Sequence, residues 1–356
     1  MRGEHVGYVI GNVFGLQHLG ARSHRSTRRS LRGVLEHLGI WHIRFSACRT
    51  SAVFEQVRAA LIPSPIDVRS LNVKVSEKFI AFVDIVGFTS MIEAAEASGG
   101  DLTRALELTN ALGSATDAEK VRINGHFVCP KAPYIEKGVR FEVTQVSDCM
   151  VASAEVSPAG LITVVHHCHT AAARVVSKGG LCRGVITMGN IVHAAGQFAG
   201  TGYMEAFHAE KSVAFKKADL SEAGTPFIQF DPSVVRYANE QADGCVRLML
   251  GRMTASDGSY TAVDPFPSFA NAPAALINLD FDPVKWKASV DRSLGYRETT
   301  LAGYDAAEMA APGEKERAKI RHYKRGLEEA IARLRVKAAR LDDMIATGRI
   351  PYGGTL

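Results

Sequence analysis

The sequence predicts an α+β fold, in which helices pack on a mixed β-sheet and a long helix follows at the C-terminus. Three observations support this prediction. Strand-like and helix-like patterns alternate through residues 78–230. Two of the strand-like segments each carry one aspartate among apolar residues. From Glu314 as far as Ile345, apolar residues recur every three or four positions, which is the spacing of one face of a helix.

The folded part of the chain is predicted to begin near residue 70. Residues 62–65, Ile-Pro-Ser-Pro, are typical of a linker because each proline fixes its own φ and disfavours helix in the residue before it. We therefore divide the chain into a basic tail over 1–70, a folded domain over 71–283 and a helical extension over 284–356. The tail is rich in Arg, Ser and His, which matches a transit peptide, a disordered tail or a start codon placed too far upstream.

The first predicted strand is Phe79–Val86, a run of aromatic, aliphatic and β-branched residues that contains one acid, Asp84. Gly87 ends this strand. Thr89 or Ser90 can cap the helix that follows. The sequence therefore predicts a strand, a tight turn and a helix.

A second strand is predicted over 140–154 and carries Asp148. Ser157-Pro158 then opens a helix that Gly179-Gly180 closes. The remaining predicted elements are a third strand over 182–187, a short strand over 191–193, a glycine-rich loop over 196–202 and a helix from about 203 to 216.

The C-terminal helix carries one narrow apolar stripe between Ile320 and Ile345. A stripe of this kind needs a partner surface. The pattern fits pairing with a second copy of the chain and packing on the parent domain equally well.

Composition and charge exclude several classes of protein. With 46% apolar and 22% charged residues, the chain is neither disordered nor collagen-like. Residues 1–70 hold ten Arg, no Lys and four acids, so their charge of +6 leaves −1 for the other 286 residues of a chain with net charge +5. A neutral body argues against nucleic acid as a partner. No run approaches the roughly 18 apolar residues of a membrane helix, so no membrane insertion is predicted.

The six cysteines show no paired metal-ligand spacing, which predicts reduced thiols in a cytoplasmic protein. The run His166-His167-Cys168-His169 contains zinc-type ligands. Adjacent helical residues diverge by about 100°, so at most two of the four could share a face. A zinc site is therefore not favoured there.

Asp84 and Asp148 are the candidate metal ligands. A carboxylate in the middle of a buried strand costs several kcal/mol unless it is paired or bound to a cation. If the two strands are neighbours, both carboxylates converge and can bind divalent cations; backbone donors could also satisfy them. The turn after Asp84 leads into a helix N-terminus, which favours phosphate. The pattern therefore indicates metal-bridged phosphates as the ligand.

The run 82–89, Phe-Val-Asp-Ile-Val-Gly-Phe-Thr, closely resembles the signature of class III nucleotidyl cyclases. The resemblance extends through 144–148, 183–189 and 200–210, and covers roughly residues 78–230. It implies a ferredoxin-like mixed sheet, a catalytic domain within 71–283 and a homodimer whose sites are composite.

The resemblance also implies roles for individual residues. Asp84 and Asp148 would bind two Mg²⁺ or Mn²⁺ ions, assisted by the carbonyl of Ile85. The turn at Gly87 and the amides of Phe88 and Thr89 would bind the triphosphate. The expected substrate-binding residues are Gly87, Phe88, Thr89, Thr144, Arg183 and Gln197.

Four positions depart from the purine cyclases. Thr144 and Gln197 stand where those enzymes have their purine-reading residues, and Met204 and His208 stand where they have an Asn and an Arg facing the transition state. The spacing of Gly200, Tyr203, Glu205-Ala206-Phe207 and Glu210, together with Arg183-Gly184, resembles the pyrimidine cyclases of bacterial anti-phage (Pycsar) systems.

This subfamily resemblance implies an enzyme that converts UTP or CTP into a cyclic nucleotide, which signals to a separate effector protein. Two alternatives remain open from the sequence. One is an adenylate or guanylate cyclase. The other is a catalytically inactive, nucleotide-binding homologue that regulates a partner, which the missing Asn and Arg favour.

Overall fold

The computed structural model describes residues 74–349, except 126–131, 133–134, 137, 219–221, 223, 242, 267–281 and 312. The predicted tail over 1–70 lies outside the described residues. The strands are β1 (Ser76–Ile85), β2 (Glu142–Val146), β3 (Cys149–Glu155), β4 (Cys182–Ala194), β5 (Gln197–Ala199), β6 (Ile228–Phe230), β7 (Thr254–Ser256) and β8 (Thr261–Val263).

The helices are α1 (Phe88–Ala97), α2 (Thr103–Ala111), α3 (Ala115–Asn124), α4 (Pro158–Ser177), α5 (Thr201–Glu210), α6 (Pro232–Glu240), α7 (Gly244–Met253), α8 (Pro283–Ala310) and α9 (Glu314–Thr347). Across the described ranges, no helix combines the length and apolar composition that a bilayer crossing requires. The predicted α+β fold, with a mixed sheet, packed helices and a long C-terminal helix, is confirmed.

The sheet has the order β2-β3-β1-β4-β6-β8-β7, and β5 pairs with β4 outside this path. β1 lies between β3 and β4 and runs antiparallel to both, whereas β4 and β6 are parallel. The first four strands and the helices between them follow the βαββαβ pattern of ferredoxin-like folds. This topology places the C-terminal end of β1 between the start of β3 and the start of β4.

The alternation of side chains along β1 separates two packing layers. Phe79, Ala81 and Val83 belong to the main core, which includes apolar residues of α4. Ile80 and Phe82 belong to a second cluster on the opposite face, together with residues of α5. Asp84 follows the same alternation and therefore lies on the face that α5 covers.

The predicted second strand over 140–154 is wrong in one respect, because it is a hairpin of two strands. β2 and β3 pair directly, with Val146 opposite Cys149, and the residues between them form the turn. Ser147 adopts a φ of +55°, a left-handed conformation at the first turn residue. Asp148 is thus in a tight turn and not in the middle of a strand.

The region after residue 182 also differs from the prediction. β4 is one continuous strand from Cys182 to Ala194, and β5 lies within the predicted glycine-rich loop. Ala195 and Gly196 both have positive φ, as a two-residue hairpin turn requires. The next helix ends at Glu210 and not at Lys216, because Val213 accepts a hydrogen bond from the backbone of Thr225 there.

Two helix boundaries show how local sequence sets these elements. α1 begins at Phe88 with Gly87 as its N-cap, so the cap lies two or three residues before the predicted capping residues, Thr89 or Ser90. α4 begins as predicted, since the Ser157 side chain accepts a hydrogen bond from the Gly160 amide and Pro158 occupies the first turn. Gly179 has a φ of +66° and ends this helix.

The C-terminal helices pack on the same chain. Tyr323 of α9 is buried, and its hydroxyl donates to the Cys182 carbonyl at 3.3 Å. Tyr304 of α8 donates to the Gly180 carbonyl at 2.5 Å. The described residues from 74 to 349 belong to one compact unit. The apolar stripe fitted two partner surfaces, and the structure shows packing on the parent domain. The predicted boundary between the folded domain and the helical extension, at residues 283–284, stays a prediction.

Candidate active site

Asp84 and Asp148 lie together at one end of the sheet. Asp84 is the penultimate residue of β1 and stands opposite Cys149 in the antiparallel register. The amide of Ile85 donates to the Asp148 carbonyl at 3.2 Å, which ties the hairpin turn to the end of β1. One carboxylate oxygen of each aspartate and the Cys149 sulfur all lie within 4.8 Å of one another. Three potential metal ligands thus converge on one point.

The electrostatics of this cluster favour a cation. Burial, followed by the charges of Asp148 and Glu210, raises the pKa of Asp84 to about 6, although a hydrogen bond from Cys149 and the charge of Arg183 oppose the shift. Burial and the nearby Asp84 raise the pKa of the Cys149 thiol. This thiol therefore stays protonated and donates to Asp84 Oδ1 at 3.3 Å. A divalent cation would offset the excess negative charge.

The turn after β1 provides backbone donors next to this cluster. Gly87 has a φ of +81°, a conformation that side-chain-bearing residues rarely adopt. It leads directly into α1, whose first turn has no side-chain cap. The first amides of the helix, including those of Phe88 and Thr89, have no partner within the helix. They form the kind of N-terminus that binds phosphate oxygens.

Arg183 lies on the other side of Asp84, directly opposite it in the β1–β4 register. Its Nε donates to the carboxylate of Glu210, the last residue of α5, and the Glu210 side chain is buried. Because Arg183 lowers the pKa of Asp84 and Glu210 raises it, this ion pair is electrostatically coupled to the metal-ligand cluster.

The two predicted base-reading residues lie in other surroundings. The Thr144 hydroxyl is hydrogen-bonded to His193 Nε2 at 3.0 Å, and His193 Nδ1 is in turn 2.8 Å from the Ser153 hydroxyl. Burial lowers the pKa of His193 to about 4, so the ring is neutral at pH 7. Gln197 is exposed at the start of β5, next to the hairpin turn.

The exposed side of α5 carries the two residues that replace the transition-state Asn and Arg. Met204 is 47% exposed. Together with His208 and Glu205, it lines a shallow surface groove. This groove is apolar in part and has no arginine in its lining.

Sequence reasoning missed two members of the site, Cys149 and Glu210. Cys149 directly follows Asp148, so its place next to a predicted metal ligand is a signal in the sequence that could have identified it. In the sequence, Glu210 stands out only as part of a spacing pattern. In the part of the chain that the structure describes, the one group of three or more clustered metal-ligand side chains is Asp84, Asp148 and Cys149. The run 166–169 forms no such group, because Cys168 is buried in the main core.

Comparisons with known proteins add little to this geometry. No protein-family model matches the chain, and no curated protein matches it. One similar solved structure is a class III adenylyl cyclase-like ATP-binding protein from Pseudomonas aeruginosa, at a TM-score of 0.31 and 12% identity. The match covers 59% of this chain and 43% of that one. A similarity of this size indicates no substrate, so the function has to be inferred from the residues of the site.

Proposed function

We propose that the protein is a nucleotidyl cyclase that converts UTP or CTP into the 3′,5′-cyclic monophosphate and pyrophosphate. One observation carries this proposal: two carboxylates converge beside the uncapped N-terminus of α1, within the segment that resembles the cyclase signature. The 3′-oxygen forms a bond to the α-phosphorus, the bond from that phosphorus to the β-phosphate oxygen breaks, and the 3′-hydroxyl proton passes to solvent.

The donor set fits two Mg²⁺ or Mn²⁺ ions. Asp84 and Asp148 supply carboxylate oxygens, and Ile85 at the end of β1 offers its carbonyl; oxygen is the ligand type that both ions prefer. When bound, the ions lower the pKa of the 3′-hydroxyl and stabilise the pyrophosphate leaving group. The raised pKa of Asp84 supports this fit: burial, and then the charges of Asp148 and Glu210, disfavour its ionised form, and a cation would stabilise that form.

The remaining roles belong to this chain's own donors. The amides that follow Gly87 bind the triphosphate and orient it for in-line attack. Arg183 supplies a guanidinium on the opposite side of Asp84, where it offsets phosphate charge. Thr144 and Gln197 would contact the base from the second chain of a homodimer, and the Thr144 hydroxyl is held by its hydrogen bond with His193. Their short or neutral side chains suit a pyrimidine better than the long or acidic groups that read a purine.

The first prediction concerns the substrate. Incubation of the purified chain with each of the four nucleoside triphosphates and Mn²⁺ should give a cyclic product from UTP or CTP and little from ATP or GTP. A site built to hydrogen-bond one base rejects analogues that leave its polar groups unpaired. Mass spectrometry of the products provides the measurement. ATP as the best substrate, with UTP and CTP unreactive, would contradict the pyrimidine assignment.

The second prediction concerns assembly, because we propose that the active unit is a homodimer with composite sites. Gln197 and Met204 are exposed, so both are available to a second chain. An Asp84→Ala chain mixed with a Gln197→Ala chain should therefore recover activity that neither chain has alone. The recovered activity is measured against each variant at the same total concentration. Full activity from a monomer, shown by sedimentation, would rule out this arrangement.

The biological role that we propose follows from the same resemblance. The cyclic pyrimidine nucleotide would act as a second messenger in defence against phage and bind a separate effector protein. The cysteines in the described part of the chain form no disulfide, which fits the cytoplasmic location that we propose for this role.

A second candidate is a nucleotide-binding homologue without cyclase activity. Met204 and His208 favour it, since neither supplies the guanidinium that purine cyclases direct at the transition state. Saturable binding of a nucleoside triphosphate in equilibrium dialysis, with no cyclic product from any of the four, would favour this candidate over the enzyme.

A further inference from the structure

We propose that Asp84, Asp148 and Cys149 form a site for a thiophilic divalent cation of the Zn²⁺ class, which competes with the catalytic ions. The inference takes the metal site of the proposed cyclase as its starting point and adds a regulatory occupant to it. It concerns the one ligand in the cluster that is not oxygen.

The distances within the cluster suit a tetrahedral ion. The Cys149 sulfur lies 3.3 Å from Asp84 Oδ1 and 3.9 Å from Asp148 Oδ1. With a Zn–S bond of about 2.3 Å and a Zn–O bond of about 2.0 Å, tetrahedral ligands stand roughly 3.5 Å apart. The two observed distances lie on either side of that value. A shift of a few tenths of an ångström would bring both sulfur–oxygen distances to that value, and the two carboxylate oxygens already lie within 4.8 Å of each other.

The backbone holds these ligands close together before any metal binds. Cys149 begins β3 and is paired with Asp84 across the β1–β3 ladder. Asp148 is fixed in the two-residue turn by the hydrogen bond from the Ile85 amide to its carbonyl. The ligand set therefore needs no large rearrangement to bind an ion.

The chemistry of the thiol determines which ions use the third ligand. Mg²⁺ prefers oxygen and gains nothing from sulfur, whereas Zn²⁺ and Cd²⁺ bind thiolate strongly. As the metal–sulfur bond forms, the thiol proton passes to solvent. Three protein ligands leave one open position in a tetrahedral shell. An ion held in this way occupies the place of the oxygen-bound catalytic ions, so the proposal implies inhibition by Zn²⁺.

The other described thiols serve as comparisons. Cys168 and Cys182 are buried, which keeps them from a metal in solution. Cys245 on α7 is partly buried like Cys149, but it lies outside the metal-ligand group. A Cys245→Ser variant is therefore the matched control for Cys149→Ser.

The direct test is titration of the reduced, full-length chain with Cd²⁺. Binding is measured by the charge-transfer absorption of the cadmium–thiolate bond. The absorption should be present in the wild-type chain, unchanged in Cys245→Ser and lost in Cys149→Ser. Asp84→Asn should weaken Cd²⁺ binding by at least about tenfold, because one of three ligands loses its charge. An identical absorption change in wild type and Cys149→Ser would overturn the proposal.

A second measurement needs no variant, so it tests the proposed metal site even if Cys149→Ser does not fold. Zn²⁺ should slow alkylation of Cys149 by iodoacetamide at least about tenfold, as read by mass spectrometry of the peptide that contains it. Equal rates with and without Zn²⁺ would refute the site.

Binding of Mn²⁺, followed by electron paramagnetic resonance, separates this inference from the proposed function. If Mn²⁺ binding requires Asp84 but Cd²⁺ binding does not depend on Cys149, only the thiophilic site is overturned. Absence of both would overturn the metal site of the proposed cyclase as well.

Discussion

Replacement of Asp84 or Asp148 by alanine is expected to reduce cyclic-nucleotide formation by about a thousandfold or more, since the charge stabilisation that bound cations supply is worth several kcal/mol. Both carboxylates belong to the same cluster, so neither can substitute for the other. Asp84→Asn should fail in the same way, because a neutral amide cannot offset cation charge. The measurement is the initial rate of cyclic-product formation at saturating Mn²⁺.

Asp84→Asn should also stabilise the protein when metal is absent. A variant that is inactive but more stable has lost a metal ligand and not its fold. The pKa of Asp84 is raised from 3.8 to about 6, so its charge is unfavourable in the folded state. This carboxyl therefore costs almost no stability well below pH 3.8. Its cost grows between about pH 3.8 and pH 6 and is constant at higher pH. Asp84→Asn removes that cost above pH 6.

The full pKa shift would correspond to about 3 kcal/mol, and partial exposure of the carboxyl reduces the expected gain to about 1–2 kcal/mol at pH 8. Urea unfolding in the presence of a chelator at pH 8 and pH 4 measures it, and the gain should vanish at the lower pH. Glu96→Gln, on the exposed side of α1, is the matched control and should alter neither activity nor stability. An Asp84→Asn protein that is less stable than wild type at pH 8 would contradict the electrostatic account.

The elements that carry a strong local signal could be predicted from the sequence. β1 is an almost uninterrupted apolar run, and its neighbours on both sides bury it, so its pattern and its surroundings agree. α4 has both a serine N-cap with proline in its first turn and a glycine just past its end. Each of these signals is contained in fewer than ten adjacent residues.

The hairpin at Ser147 and Asp148 could not be predicted in the same way. Two-residue hairpin turns usually contain Asn-Gly or a similar pair, because their central residues need positive φ. Here a serine adopts that conformation, and pairing of β2 with β3 compensates for its cost. The turn type is thus set by tertiary structure.

The contacts within the site depend on sheet order, which no local pattern encodes. Cys149 meets Asp84 across 65 positions of sequence, and Thr144 meets His193 across 49. A single acid in an apolar run is costly to bury, and this pointed to Asp84 and Asp148, although Asp148 is only half-buried and lies in a turn. Thr144 carried no such cost, so nothing in the sequence indicated its buried histidine partner.

Arg183 and Glu210 provide the other large expected effect, since Arg183→Gln should lower the free energy of unfolding by about 3–5 kcal/mol. The Glu210 side chain is only 4% exposed, and its carboxylate accepts a hydrogen bond from Arg183. Removal of one partner leaves an uncompensated buried charge, which costs far more than the ion pair contributes. Urea unfolding of the single variant measures the loss.

A double-variant cycle separates this structural role from the proposed substrate contact. In a Glu210→Gln background the buried charge is gone, so Arg183→Gln should then cost less than about 1 kcal/mol of stability. Cyclase activity should stay low in the double variant, because the guanidinium that we propose to face the triphosphate is still missing. Recovery of full activity together with stability would show that Arg183 acts only by neutralising Glu210. Equal stability losses in both backgrounds would instead mean that the Arg183–Glu210 ion pair is not the contact that stabilises this end of the sheet.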